Sequence, residues 1–153
     1  MDLVDRLERL VRRHILAALP DDGRPELAAA SLSDLLIAYR SWRNRFVRPV
    51  PREVHRSPEL ANHVNAALHC QAIDAIEQKL TAGQDVTPHL SRAVHRLGRD
   101  PLLADWGIHH LHLSTTLDPD GFAERTGDVL LVACTQTAAY LLDVRTHERD
   151  GDN

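Results

Sequence analysis

The sequence predicts an α+β protein, with three or four N-terminal helices packed on one face of a small antiparallel three-stranded β-meander. Two observations lead to this prediction. Apolar residues recur at helical spacing through roughly the first hundred residues, and beyond residue 105 they form short runs rich in Val, Leu and Ile. Because helices and strands occupy separate parts of the chain, the strands are expected to pair with their sequence neighbours.

Two helices are predicted within the first 46 residues. Residues 2–19 place their apolar side chains on one stripe, and the Pro- and Gly-containing residues 20–25 end that helix. A second helix covers about 31–46, with Ser31 or Ser33 as its N-cap. The first helix could pack on the rest of the chain, or pair with a second copy or another protein.

Two further helices begin at Ser/Thr-Pro signals. Ser57-Pro58-Glu59 starts a helix that runs to about Leu80 and stops at Gly83. Thr87-Pro88 starts a shorter helix that runs through about Leu97.

The predicted strands cover about 106–114, 129–134 and 139–145. Residues 135–137 turn the last two strands into a hairpin. The long connection 115–128 is a loop that could flank a site. The predicted organisation is an amphipathic helix and linker at 1–24, one α+β domain at 25–147 and a polar tail at 148–153.

Composition narrows the class of protein. Of 153 residues, 43 % are apolar and 26 % are charged, which is ordinary for a globular protein. No apolar run approaches the ~20 residues of a membrane-spanning helix. The first residues lack the basic start and apolar stretch of a signal peptide. We therefore expect a cytoplasmic protein that does not contact a membrane.

Positive charge is concentrated in a connector between the second and third helices. Residues 40–56 contain six arginines and one glutamate, and the prolines at 49 and 51 make this segment extended. Arginine on irregular backbone suits phosphate binding, and hence RNA. The candidate substrate-binding residues are Arg45, Arg48, Arg52, His55 and Arg56. Alternatively, these side chains are solvated or pair with the acidic second half of the chain.

The strongest candidate site is the histidine cluster of the first predicted strand. Side chains alternate along a strand, so His110 and His112 share one face and His109 takes the other. Neighbouring imidazoles suit proton transfer in RNA cleavage, where Arg125 would stabilise the phosphate charge. Asp143 or His147 would complete such a site.

The same pair also suits metal ligation. Two imidazoles spaced by two on a strand can reach one zinc ion, with a third ligand from His147, Asp143 or Cys134. The alternative metal site is therefore His110, His112 and His147. In a third interpretation the histidines are structural, hydrogen-bonded on a half-exposed sheet, and the chain is a non-enzymatic interaction module.

Three segments carry a resemblance to known proteins. Asp105-Trp-Gly-Ile-His-His-Leu-His-Leu, Arg125-Thr-Gly-Asp-Val-Leu-Leu-Val-Ala and Ala139-Tyr-Leu-Leu-Asp-Val with His147 resemble the C-terminal signature of a group of uncharacterised bacterial proteins. The order of helices and meander over residues 57–147 is similar to the small RNase toxins of the RelE/ParE and colicin-E5-like type. This second resemblance implies a metal-independent ribonuclease, which is the function we expect. The alternatives are an interaction module and a metal-binding protein.

Overall fold

The computed structural model describes residues 2–147, so the polar tail predicted at 148–153 lies outside the described residues. The chain divides into two compact units. The first unit comprises the chain up to Phe46 together with Ala93–Asp100, and the second comprises Val47–Arg92 and the chain from Pro101 onward. The boundary predicted near residue 24 lies inside the first unit. No helix within residues 2–147 combines the length and apolarity needed to cross a membrane.

Among its described residues the first unit contains three α-helices, of which two were predicted. They are α1 (Leu3–Ala18), α2 (Arg24–Ala28) and α3 (Leu32–Arg43). Ser31 caps α3 by accepting a hydrogen bond from the backbone N–H of Asp34 at 3.1 Å. The short α2 falls where the sequence predicts only a break.

The core of the first unit is small and lies at the C-terminal end of α1. Ile15, Leu19 and Leu35 are buried there, with Tyr39 and Trp42 packed against them. The Trp42 indole donates to the carbonyl of Val94 at 3.1 Å, which ties residues 93–100 to this unit. The N-terminal half of α1 contributes none of these buried side chains.

In the second unit, three short helices replace the single helix predicted over 57–80. They are α4 (Pro58–Asn62), α5 (Val64–Leu68) and α6 (Cys70–Ala82). The first break falls at His63, whose ψ of 128° is extended and whose ring accepts from the N–H of Asn65. A side chain that caps the backbone in this way competes with helix continuation. The second break falls at His69, which has φ −110° and ψ 17°.

Residues 84–107 also differ from the prediction. The helix predicted over 87–97 is replaced by two 3₁₀-helices, Thr87–His89 and Arg92–His95, and an unpredicted α7 follows at Pro101–Trp106. Each has six residues or fewer, which is too short for apolar periodicity to identify it.

The sheet confirms the α+β class but has four strands rather than three. Its order is β1-β4-β3-β2, with β1 at Glu53–Arg56, β2 at Ile108–His112, β3 at Asp128–Cys134 and β4 at Ala138–Thr146. The strands β2, β3 and β4 form the predicted antiparallel meander. The basic connector is extended as predicted, but its last part forms β1 and pairs in parallel with β4, so the sheet is mixed.

The two faces of the meander differ in burial. Leu111, Leu130 and Val144 form one cross-strand row, and all three are fully buried. Alternation along the strands therefore places His110 and His112 on the opposite face. A β-bulge at Leu131/Val132 inserts one extra residue, Leu142, into β4.

The end of α6 packs tightly against the connector. Gly83 adopts φ +69°, a left-handed conformation that suits glycine. A Cβ atom added at Gly83 would lie 2.5 Å from the backbone nitrogen of Pro51. The approach of the connector to α6 therefore requires glycine at this position.

We expect Gly83→Ala to lower the free energy of unfolding by about 2 kcal/mol or more, because it adds a steric clash to the left-handed penalty. Gly121→Ala is the matched control, since Gly121 also has positive φ but open space around its Cα. Urea unfolding of both variants measures the difference. Equal destabilisation would show that the contact with Pro51 relaxes without cost.

Candidate functional site

Three imidazoles meet on the half-exposed face of the sheet. The ring centroids of His110 and His147 are 5.5 Å apart, those of His112 and His147 are 5.5 Å apart, and those of His110 and His112 are 6.3 Å apart. The rings of His112 and His147 are stacked, whereas His110 meets both edge-on. Residues 110, 112 and 147 therefore form one group, which we call the imidazole cluster.

The position of His147 is set by the loop before β3. His147 is the first residue after β4, and its backbone N–H donates to the carbonyl of Gly127 at 2.7 Å. Gly127 has φ +86°, so the chain turns sharply between Arg125 and the start of β3. This hydrogen bond fixes the backbone of His147, whose ring contacts those of His110 and His112 on β2.

Two arginines act on the imidazole cluster electrostatically. Arg125 and Arg92 both lower the pKa of His112. Arg92 is held by ion pairs to Asp118 and, at 3.5 Å, to Asp120, and its guanidinium lies 5.9 Å from the ring centre of Phe122. Arg125 is exposed and forms no ion pair with another residue of the described range 2–147. Its charge is therefore the more available of the two for a bound anion.

His112 is the buried member of the imidazole cluster, with 4 % of its surface exposed. Burial lowers its pKa from 6.5 to about 4, with smaller contributions from His110, His147 and the two arginines. Its Nε2 atom is buried and has no hydrogen-bond partner among residues 2–147. His112 is therefore uncharged at neutral pH.

A fourth histidine supports His112 through the backbone. The Nδ1 atom of His89 lies 3.1 Å from the carbonyl oxygen of His112. The Nε2 atom of His89 lies 3.4 Å from the Lys79 ammonium. An ammonium can only donate, so Nε2 accepts and Nδ1–H donates to the carbonyl. Burial lowers the pKa of His89, which keeps it in this neutral form. The sequence contains no local signal for this contact, because residues 89 and 112 are far apart in the chain.

Asp143, which the sequence analysis proposed to complete the site, pairs with groups other than the three imidazoles. Its carboxylate lies 2.8 Å from the Arg145 guanidinium and 3.9 Å from the His63 ring. Asp128, at the start of β3, forms a comparable pair with His69 at 3.0 Å. Both carboxylates therefore have partners, and sequence analysis predicted neither pair.

Two of the predicted RNA-binding arginines hold the fold together. Arg52 is buried and donates to three backbone carbonyls, those of Thr135 (2.9 Å), Arg48 (2.7 Å) and Val50 (3.1 Å). Arg56 forms ion pairs with Asp74 and Glu77 of α6, and their hydrogen bonds raise its pKa. Arg52 and Arg56 are therefore engaged in contacts within the fold.

The other three predicted RNA-binding residues differ in accessibility. Arg45 belongs to the first unit and donates to the carbonyl of Arg96 at 2.5 Å. Arg48 is exposed. The His55 ring stacks on that of Tyr140, with centroids 5.2 Å apart.

The comparisons with protein-family models, with curated proteins and with solved structures find no match to this chain. The resemblance to RNase toxins therefore stays a prediction. Within residues 2–147, no group of three or more His, Cys, Asp or Glu side chains is arranged to hold a metal ion.

The lowered pKa of His112 predicts how stability depends on pH. Between pH 6.5 and about 4 the unfolded chain binds a proton that the folded chain does not, so the free energy of unfolding falls as pH falls. The full effect is about 3 kcal/mol. His112→Gln should lose less stability across this range than the parent protein in urea unfolding. His14→Gln, at an exposed site on α1, is the control, and parallel pH dependences for all three proteins would contradict the prediction.

Proposed function

We propose that this protein cleaves RNA without a metal ion, at the imidazole cluster, with His110 and His147 as the acid–base pair. The observation that carries the proposal is the contact among three imidazoles, one of which lies within the electrostatic influence of the exposed Arg125. His110 and His147 are the half-exposed members, which lets them reach a substrate phosphodiester. His112 lies beneath them and supports their positions.

The chemistry needs two proton-transfer groups and one cation. One imidazole takes the proton from the 2′-hydroxyl, and the 2′-oxygen then forms a bond to phosphorus. The other imidazole protonates the 5′-oxygen as its bond to phosphorus breaks. The products are a 2′,3′-cyclic phosphate and a free 5′-hydroxyl, so atoms and protons balance. Arg125 would stabilise the extra negative charge on the phosphoryl oxygens in the transition state.

The burial of His112 suits this division of roles. Three protonated imidazoles in contact would repel one another strongly, and a neutral His112 reduces that repulsion. General acid–base catalysis then requires one of His110 and His147 to act in its neutral form and the other in its protonated form. The hydrogen bond from His89 fixes the strand beneath them.

We expect His110→Ala and His147→Ala each to lower the rate of RNA cleavage by about a hundredfold or more. The rate of the parent protein should follow a bell-shaped pH profile, since one group must be neutral and the other charged. The assay follows cleavage of a labelled single-stranded RNA in the presence of EDTA and identifies the cyclic phosphate product.

The control is His109→Gln, which removes a histidine from the same strand but from its opposite face. Circular dichroism checks that each variant is folded. Equal cleavage by the parent protein and a folded His110→Ala/His147→Ala double variant would refute the proposal. Growth inhibition on expression, lost in the double variant, would support a toxin-like role.

Zinc binding by His110, His112 and His147 is the second candidate function, and it would require these rings to rotate, because they are not arranged around a common ion in this structure. The observation in its favour is the buried Nε2 atom of His112, which has no partner among the described residues and is a nitrogen that a metal can ligate. Stoichiometric zinc in protein purified without a tag, together with loss of activity in EDTA, would favour this candidate over metal-independent cleavage.

Self-association through α1 is a separate proposal, and it is compatible with either activity. Leu3, Val4, Leu7 and Leu10 are between 46 % and 78 % exposed and share the apolar stripe of this helix. The two halves of α1 carry opposite charge. Residues 2–8 contain three acids and one arginine, and residues 9–16 contain three arginines and no acid. Antiparallel pairing with a second copy would match these halves and cover the stripe.

We expect the parent protein to be a dimer and Leu3→Glu/Leu7→Glu to be a monomer, because the substitutions place charge in the apolar contact. Light scattering after size-exclusion chromatography measures both masses. Arg6→Glu is the control for added negative charge on α1. A monomeric parent protein would rule out this contact between copies.

A further inference from the structure

An exposed pair of stacked rings lies at the other end of the sheet from the imidazole cluster. His55 is on the edge strand β1 and Tyr140 is its direct partner on β4. Their ring centroids are 5.2 Å apart and their planes differ by 21°. The Tyr140 residue and the His55 side chain are each 43 % exposed. Tyr140 is thus exposed although its chain neighbours on β4, Ala139 and Leu141, are fully buried.

The strand register places this pair on the same face as the imidazole cluster. Tyr140 pairs with Ala133, and Ala133 pairs with Ile108. Ile108 is two residues before His110 on β2, so their side chains point to the same side of the sheet. Ile108 and Ala133 are both partly exposed, so the half-exposed face continues between the two sites.

The separation of the two sites suits a polynucleotide. Tyr140 and His110 are two strands apart and one two-residue step apart along the strands. Their Cα atoms are therefore about 12 Å apart, from strand spacing and rise. An unstacked single strand held at the imidazole cluster could then place the next nucleotide, or the one after it, on Tyr140.

We propose that His55 and Tyr140 form a stacking site for an unpaired nucleobase of single-stranded RNA. This inference rests on the proposed RNA-cleaving function and specifies its substrate as single-stranded. Aromatic rings bind unpaired bases by stacking, whereas bases within a duplex are unavailable for this contact. A base placed on the ring pair would continue the existing stack.

A carboxylate, that of Glu53, lies beside the stacked pair. The Glu53 carboxylate lies 3.5 Å from the Nε2 atom of His55 and is exposed. A carboxylate repels the phosphate backbone but can accept hydrogen bonds from exocyclic amino groups. The stacking site is therefore expected to prefer bases that carry an amino group, such as cytosine and adenine, over uracil.

The experiment separates binding from cleavage. In the His147→Ala background, fluorescence anisotropy measures the Kd for a labelled single-stranded RNA hexamer and for the same sequence as a duplex. We expect tighter binding of the single strand, and Tyr140→Ala to raise its Kd by about tenfold. Tyr140→Phe should restore binding, because the ring and not the hydroxyl makes the stack. Trp106→Ala, at an exposed aromatic residue on α7, should leave Kd unchanged.

In the background with an intact imidazole cluster, Tyr140→Ala should raise KM for RNA cleavage and leave kcat almost unchanged. Tyr140-dependent binding without any cleavage would support the stacking site and refute the proposed function. Cleavage with the same Kd and KM in Tyr140→Ala would refute the stacking site alone. Failure of the hexamer to bind the parent protein or its His147→Ala variant would also overturn the inference.

Discussion

The antiparallel pairing of β2, β3 and β4 is the constraint on which the candidate site depends. The row formed by Leu111, Leu130 and Val144 is fully buried, and it commits one face of the meander to the core. Every second residue of β2 is then held on the other face. A slip of one residue would bury His110 and place Leu111 in solvent, so the hydrophobic pattern that stabilises the sheet also positions the imidazoles.

His112 shows what this arrangement costs. A leucine at position 112 would bury apolar surface at no electrostatic cost, whereas an imidazole there has a strongly lowered pKa and an Nε2 atom without a described partner. The stacked His147 ring and the hydrogen bond from His89 to the His112 carbonyl hold this residue in place, but neither supplies a partner for its Nε2 atom. Residues that lower the stability of the folded protein are typical of functional sites.

The sequence predicts the long and regular parts of the fold well. α1 and α3 span several helical turns, and the strands of the meander show their apolar pattern within five to nine residues because the period of a strand is only two. β1, α2 and α7 have four to six residues each and were missed for lack of such a period. The breaks between α4, α5 and α6 depend on backbone turns at two histidines that the Ser57-Pro58 start signal and apolar spacing do not indicate.

The sequence predicts only those contacts of the candidate site that join residues close together in the chain. Alternation places His110 and His112 together, but the contacts of His89 and Arg92 join distant segments. The same limit explains the arginines of the connector. Their composition predicts a phosphate surface. Arg52 instead donates to the carbonyl of Thr135, and Arg56 pairs with Asp74 and Glu77, and these partners are distant from the arginines in the chain.

The bulge in β4 changes which side chains of this strand share a face of the sheet. Tyr140 is even-numbered and His147 is odd-numbered, so on a regular strand they would point in opposite directions. The inserted Leu142 reverses the parity of the strand, and both rings therefore face the same side. A β4 shortened by this one residue could keep its hydrogen bonds, but it would turn either the tyrosine or the histidine into the hydrophobic interior.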